Sequence, residues 1–135
     1  MSSADSARGA SVGRKSPWIN RPDVGTLAPG SLPSNIWATH PKGLNQVGCV
    51  YTAQGFEFDY VGVIWGRDLR WDPATIDWTG DLSHSHDSIV KRSGERFTDL
   101  VKRTYRVLLT RGLKGCYVFL GDARTAERMV ASVRW

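Results

Sequence analysis

The chain is poor in the residues that mark secreted, membrane-bound or metal-dependent proteins. It has two cysteines, Cys49 and Cys116, in 135 residues, too few for the disulfide framework of a small secreted domain. Each lies in an apolar run, so both are expected as buried thiols in a reducing cytoplasm. No apolar run approaches the ~18 residues of a membrane span, and the first residues lack the apolar core of a signal peptide. Cytoplasmic localisation and no membrane partner are therefore expected. Histidine is scarce too. His84-Ser85-His86-Asp87 brings two imidazoles and a carboxylate into one short run, a set able to ligate zinc. No second cluster completes it, since His40 stands far off in the chain, and no metal site is expected.

A phosphate-binding loop is also missing. Gly9-Ala10-Ser11-Val12-Gly13-Arg14-Lys15-Ser16 looks like one at a glance. That loop needs four residues between its glycines and then Gly-Lys-Ser/Thr, and here the spacing fails. Pro17 follows directly and no apolar strand precedes it.

What is present is ordinary globular composition, 41% hydrophobic and 23% charged, of a length that suits one domain with a single core. The net charge of +5 is unevenly placed: residues 91–135 carry +7 and residues 1–90 carry −2. A basic half suits phosphate-bearing partners, although a solvated helix face has the same composition.

In chain order, Met1 to Ser16 shows no periodicity and is expected to be a disordered tail. A domain over residues 17–135 follows. Residues 17–41 hold five of the six prolines together with Trp18 and Trp37, which reads as an irregular arm anchored by its aromatics. Trp37 is expected to pack rather than to stack on a base. Val47–Tyr51 and Tyr60–Trp65 read as short buried strands rich in β-branched and aromatic residues. Arg67–Asp87 reads as a polar loop, long enough that it must be functional or partly ordered. Glu95–Leu109 is the clearest helix, with Phe97, Leu100, Val101, Tyr105 and Leu108 on one face, Ser93 as its cap and Gly112 as a left-handed exit. Gly115–Leu120 reads as another buried strand and Ala123–Val133 as a terminal helix. This order predicts an α/β layer with parallel pairing. The three strands are expected as neighbours in one sheet, with the helix on a face.

Polar residues crowd between these apolar runs at two places. Thr52-Ala53-Gln54-Gly55-Phe56-Glu57-Phe58-Asp59 is similar to helicase motif V, and Leu109-Thr110-Arg111-Gly112 is similar to motif VI, which in many relatives reads Leu-Thr-Arg-Ala. The flanking words Asn45-Gln46-Val47-Gly48-Cys49 and Lys114-Gly115-Cys116-Tyr117-Val118 match as well. Over roughly Pro17 to Met129 the chain resembles the C-terminal part of the Schlafen group 3 type DNA/RNA helicase domain, within superfamily 1. The resemblance implies a partial RecA-like lobe of the P-loop NTPase type, with a short, mainly parallel sheet and flanking helices. It implies that Arg111 reaches the γ-phosphate of ATP, a task suited to a permanently charged, bidentate guanidinium. Gln54, Gly55 and Glu57 would contact the nucleotide, the glycine through close backbone approach and Glu57 through the ribose hydroxyl. Thr52 would touch a nucleic-acid phosphate without reading sequence. Gln54, Glu57 and Arg111 are expected to converge, largely exposed, with Arg111 falling back onto Glu57 or Asp59 when no phosphate is bound.

The departures are as informative as the match. Such an enzyme needs a P-loop lysine and an acidic motif for Mg²⁺; in the family both lie in the preceding lobe, and this sequence has neither. Position 103, often Asn in relatives, is Arg. Three readings follow. The first is a helicase-like fragment, inactive alone, which binds no ATP or Mg²⁺ tightly by itself and works with a separately encoded P-loop lobe. The second is a noncatalytic DNA- or RNA-binding module that uses the basic half and Trp71 or Trp78. The third is a small metal-dependent hydrolase built on Asp59, Asp68, His84 and His86.

Overall fold

The computed structural model describes residues 19–20, 29–85 and 87–133. The expected tail, the phosphate-loop look-alike, Trp18 and His86 lie outside the described residues. The chain divides into two units, residues 1–57 and 58–135.

In the first unit, strand β1 (Ile19–Asn20) pairs in parallel with β2 (Val47–Gly48). Between them, Pro41–Asn45 forms a 3-10 helix. Gln46 ties the irregular arm together: its side chain accepts from the Leu32 amide at 3.2 Å and donates to the Gly30 carbonyl at 2.9 Å. The Trp37 indole donates to the Gln46 carbonyl at 3.2 Å. Its ring lies so near Gly48 that a Cβ there would meet it at 2.6 Å. Trp37 therefore packs, as expected. Val47–Tyr51 does not form the expected strand, because after two strand residues the chain turns into helix α1 (Val50–Ala53). The cause is local: the Thr52 hydroxyl accepts from the Cys49 amide at 2.8 Å and donates to the Cys49 carbonyl at 2.9 Å. Those bonds offer the backbone an alternative to a sheet ladder and override the strand preference of the side chains.

The second unit carries the α/β architecture that the sequence predicts, a short parallel sheet with flanking helices. Strand β3 (Phe58–Trp65) pairs in parallel with β6 (Gly112–Leu120), with a register shift between Phe58 and Tyr60. The sheet has two strands rather than three, since β2 pairs with β1 instead. Val61, Val63 and Trp65 alternate inward from β3, where they meet helix α3 (Phe97–Leu109) and its buried Phe97, Val101 and Tyr105. The apolar periodicity is thus realised at four-residue steps. The helix begins two residues later than expected, after a 3-10 turn at Gly94–Arg96. Ser93 does not cap it: the Ser93 hydroxyl donates back to the Val90 carbonyl, and Val90 belongs to the short helix α2 (Ser88–Lys91).

Much of Arg67–Asp87 is ordered, one of the two outcomes expected of so long a connection. Strands β4 (Leu69–Asp72) and β5 (Asp77–Gly80) form an antiparallel hairpin with Trp71 opposite Trp78. These rings meet edge-on at 5.6 Å, and Trp78 also contacts Trp65 at 5.4 Å. The Trp65 indole donates to the Leu69 carbonyl at 2.8 Å, and its ring stacks on Tyr105 at 4.1 Å. Helix α4 (Ala123–Ser132) is capped by Asp122, which accepts from the Thr125 amide and hydroxyl at 3.0 and 2.8 Å. The fully buried Thr125 hydroxyl in turn accepts from the Trp71 amide at 3.0 Å. That bond anchors the hairpin to α4. Cys116 is exposed, contrary to the expectation of two buried thiols, and Cys49 is half-buried at the start of α1.

Candidate functional site

Motif VI follows the last turn of α3, and it begins by satisfying that turn's carbonyls. The Thr110 hydroxyl lies 3.0 Å from both the Arg106 and the Val107 carbonyl oxygens. The Arg111 amide donates to Leu108 at 3.2 Å, and its guanidinium Nε donates to the Val107 carbonyl at 3.1 Å. A helix C-terminus leaves these groups without partners and favours a cation beside them. Arg111 thus folds onto its own helix, not onto a carboxylate as expected, and it is half-buried. Asp59 takes its ion pair from Lys114 instead, at 2.9 Å. Lys114 stands in one of the matched flanking words, where nothing in the sequence marks it as the partner of Asp59.

Gly112 does not make the left-handed exit either, since the glycines with positive φ among the described residues are Gly30, Gly55 and Gly94. Its requirement is space. A Cβ at Gly112 would lie 2.2 Å from the Gly115 carbonyl oxygen and 3.0 Å from Val61. Gly112 is where β6 begins beside β3, and the two motifs meet there. The Phe58 amide donates to the Arg111 carbonyl at 2.8 Å, and Phe58 stands opposite Gly112 in the ladder. The end of motif V, Phe58 and Asp59, is therefore bonded to motif VI at Arg111 and Lys114.

The earlier motif V residues belong to the first unit. Gln54 and Glu57 are exposed. Gly55 has φ +86, and nothing lies within 4 Å of a Cβ built on it. Its backbone is thus open to close approach in a conformation that favours glycine. Thr52 is 2% exposed with its hydroxyl committed to Cys49; contact with a phosphate would require the α1 turn to open.

Of the residues of the third reading, the described ones, Asp59, Asp68 and His84, do not gather. Asp59 pairs with Lys114, and Asp68 accepts from the Tyr105 hydroxyl at 2.6 Å. His84 lies 3.0 Å from Asp81, which also holds Arg70 at 3.0 Å. Among the described residues no group of three or more His, Cys, Asp or Glu could hold a metal ion, and no helix is long and apolar enough to cross a membrane. The Ser83 hydroxyl first and His84 second hold the Asp81 carboxyl down to about 2. Burial, reinforced by Asp68, pushes the Tyr105 hydroxyl far above the ordinary tyrosine range. Trp71 and Trp78, candidates for base stacking, instead pack on each other, and Arg128 lies 4.5 Å over the Trp71 ring.

Comparison with known proteins bears out the family resemblance. No solved structure matches the chain. The uncharacterized protein YPL245W of Saccharomyces cerevisiae is 34% identical over 101 residues, 70% of this chain but 22% of that protein. The chain thus spans about a fifth of the length of the curated relative that it matches. The model of the Schlafen group 3, DNA/RNA helicase domain matches residues 6–122, which takes in both motifs and most of the chain, and the chain belongs to that family.

Proposed function

We propose that this chain supplies the motif V and motif VI side of a nucleotide site in a nucleic-acid-dependent NTPase of RecA-like type. The P-loop lysine and the Mg²⁺-binding acid of such a site belong to the other RecA-like lobe. The observation that carries this reading is the bond from the Phe58 amide to the Arg111 carbonyl, which ties the end of one motif to the other. Arg111 would leave the Val107 carbonyl to grip the γ-phosphate of an ATP held with Mg²⁺ by the other lobe. Gln54, Gly55 and Glu57 meet the nucleotide, and Thr52 meets a DNA or RNA phosphate. The exchange at Arg111 trades hydrogen bonds to the Val107 carbonyl and the Thr110 hydroxyl, worth about 1 kcal/mol each, for a bidentate, charge-assisted grip on phosphate.

The test has two arms. The purified chain with Mg-ATP, with or without single-stranded DNA or RNA, is expected to show background turnover only. Combined with the first RecA-like lobe of a family member, it is expected to turn over ATP, with a loss of about 10³-fold or more in Arg111→Ala. Turnover by the chain alone that disappears in Arg111→Ala would overturn the proposal.

A second reading has its own support. Arg96, Arg103 and Arg106 are exposed on and just before α3 and have no ion pair among the described residues. A noncatalytic module binding DNA or RNA through them would lose affinity steeply with salt. Each Arg→Ala substitution would then lower the slope by about 1 without changing sequence preference.

A further inference from the structure

Between Phe58 and Tyr60 the β3–β6 ladder carries a bulge. Phe58 stands opposite Gly112 and Tyr60 opposite Gly115, so a shorter step along β3 meets a longer one along β6. Core packing does not account for the extra residue: Leu113 is 64% exposed, and the Lys114 side chain 60%. The kink is nevertheless specified, because Gly112 has no room for a Cβ beside the Gly115 carbonyl. Bulges break regular pairing, and next to active sites they re-aim a side chain. The polar side chain in this one is Lys114, whose ammonium donates to the Asp59 carboxylate at 2.9 Å. Both members of the pair are more than half exposed, and an ion pair in that setting contributes little to stability. Neither the bulge nor the pair is therefore explained by the fold.

We propose that Lys114 is a second phosphate ligand beside Arg111, and that the two together take the triphosphate tail of a nucleotide. The inference deepens the nucleotide reading above and rests on it. Both cations stand at the end of the sheet where β3 and β6 begin, since the Phe58 amide bonds the Arg111 carbonyl and Asp59 follows Phe58. Three residues of chain span at most about 10–11 Å when fully extended, and the kink between Gly112 and Gly115 shortens the span from Arg111 to Lys114. Two long side chains rooted that close can grip one polyphosphate. Their chemistries are complementary: lysine meets phosphate as a point charge, arginine as a two-pronged donor. Asp59 holds the ammonium while no phosphate is present. When phosphate takes its place, the Asp59 carboxylate, 63% exposed, stays in water. Asp59 is thus an internal competitor, which weakens phosphate binding by occupying Lys114.

NMR titration of the full chain with sodium tripolyphosphate at low ionic strength tests the site without a second lobe and without turnover. A mixture of chain and lobe that fails to hydrolyse ATP counts against the nucleotide reading, whereas these dissociation constants decide the role of Lys114. Lys114→Ala and Arg111→Ala are each expected to weaken tripolyphosphate binding about fivefold or more, the loss of one charge-assisted contact. Asp59→Asn is expected to tighten it about threefold, and that gain is expected to vanish in the Lys114→Ala background. A gain that persists without Lys114 overturns the proposal, because it then reflects only a weaker general repulsion of anions. Unchanged binding in Lys114→Ala overturns it as well, as does binding that responds to Lys114 but not to Arg111. A wild-type chain that binds no tripolyphosphate also overturns it, and if oligo(dT) binds instead through Lys114, the lysine serves a nucleic-acid backbone.

Discussion

The Phe58 amide donates to the Arg111 carbonyl at 2.8 Å, so a residue of motif V and the arginine of motif VI are joined through their backbones. A backbone bond does not depend on which way the guanidinium points. It fixes where the Arg111 Cα stands relative to β3 and does not depend on the side chain's bond to the Val107 carbonyl. Substitutions of the Arg111 side chain are therefore separable from changes to the junction that holds it.

Gly112→Ala tests the junction itself. Its Cβ would stand 2.2 Å from the Gly115 carbonyl oxygen, a backbone atom that cannot rotate away. The expected cost is about 1–3 kcal/mol, as for other forced overpacking, read as a lower urea midpoint. A midpoint within error of the wild type would show that the start of β6 relaxes freely.

Tyr105→Phe tests the tie between α3 and the turn after β3. The Tyr105 hydroxyl accepts from the Gly66 amide at 2.9 Å and donates to Asp68 at 2.6 Å. Removing it leaves both groups short of a partner, at a cost of about 1–3 kcal/mol. The pH dependence follows from the raised folded-state pKa. Stability from the neutral hydroxyl is complete below the ordinary tyrosine pKa of about 10 and falls as pH rises beyond it. Melting temperatures should drop above that pH in the wild type and drop less in Tyr105→Phe.

Asp81 has the opposite sign. Its folded-state pKa is held down to about 2 by Ser83 and then by His84. Stability from the ionised carboxylate is present above the ordinary carboxylate pKa, near 4, and is lost as pH falls from there toward 2. Thermal melts between pH 6 and pH 2 should show this loss in the wild type and a shallower one in Asp81→Asn. Equal slopes would place the acid sensitivity elsewhere.

Ile76 stands in the β4–β5 turn with φ +54 and is 76% exposed. A β-branched residue is strained in the left-handed region, and its exposed side chain buries little in return. Ile76→Gly is expected to stabilise the protein by about 0.5–1 kcal/mol, seen as a higher melting temperature. Destabilisation by that amount would mean that the Ile76 side chain makes contacts in solution that offset the strain.

Sequence alone determined the elements whose signals are periodic and whose partners are near. Phe97, Val101 and Tyr105 mark the buried face of α3 because one helix face repeats every three to four residues whatever surrounds it. Tyr60–Trp65 and Gly115–Leu120 read as strands because β-branched and aromatic residues fit a pleated surface. Motifs V and VI were legible as words, since their residue types and spacing carry the resemblance. Tertiary structure decided what depends on which partner arrives. Val50–Ala53 became a helical turn because one hydroxyl, on Thr52, outbid a short strand. The segment from Arg67 to Asp87 reads as a polar loop until Trp71 and Trp78 face each other across a hairpin. Cys116, Tyr117 and Phe119 look buried in a linear apolar run, yet they are exposed, because burial needs a covering layer and an apolar run cannot state whether one is present. The glycine in motif VI likewise carries no sign of its reason, which lies in the Gly115 carbonyl pressing against it across the start of β6.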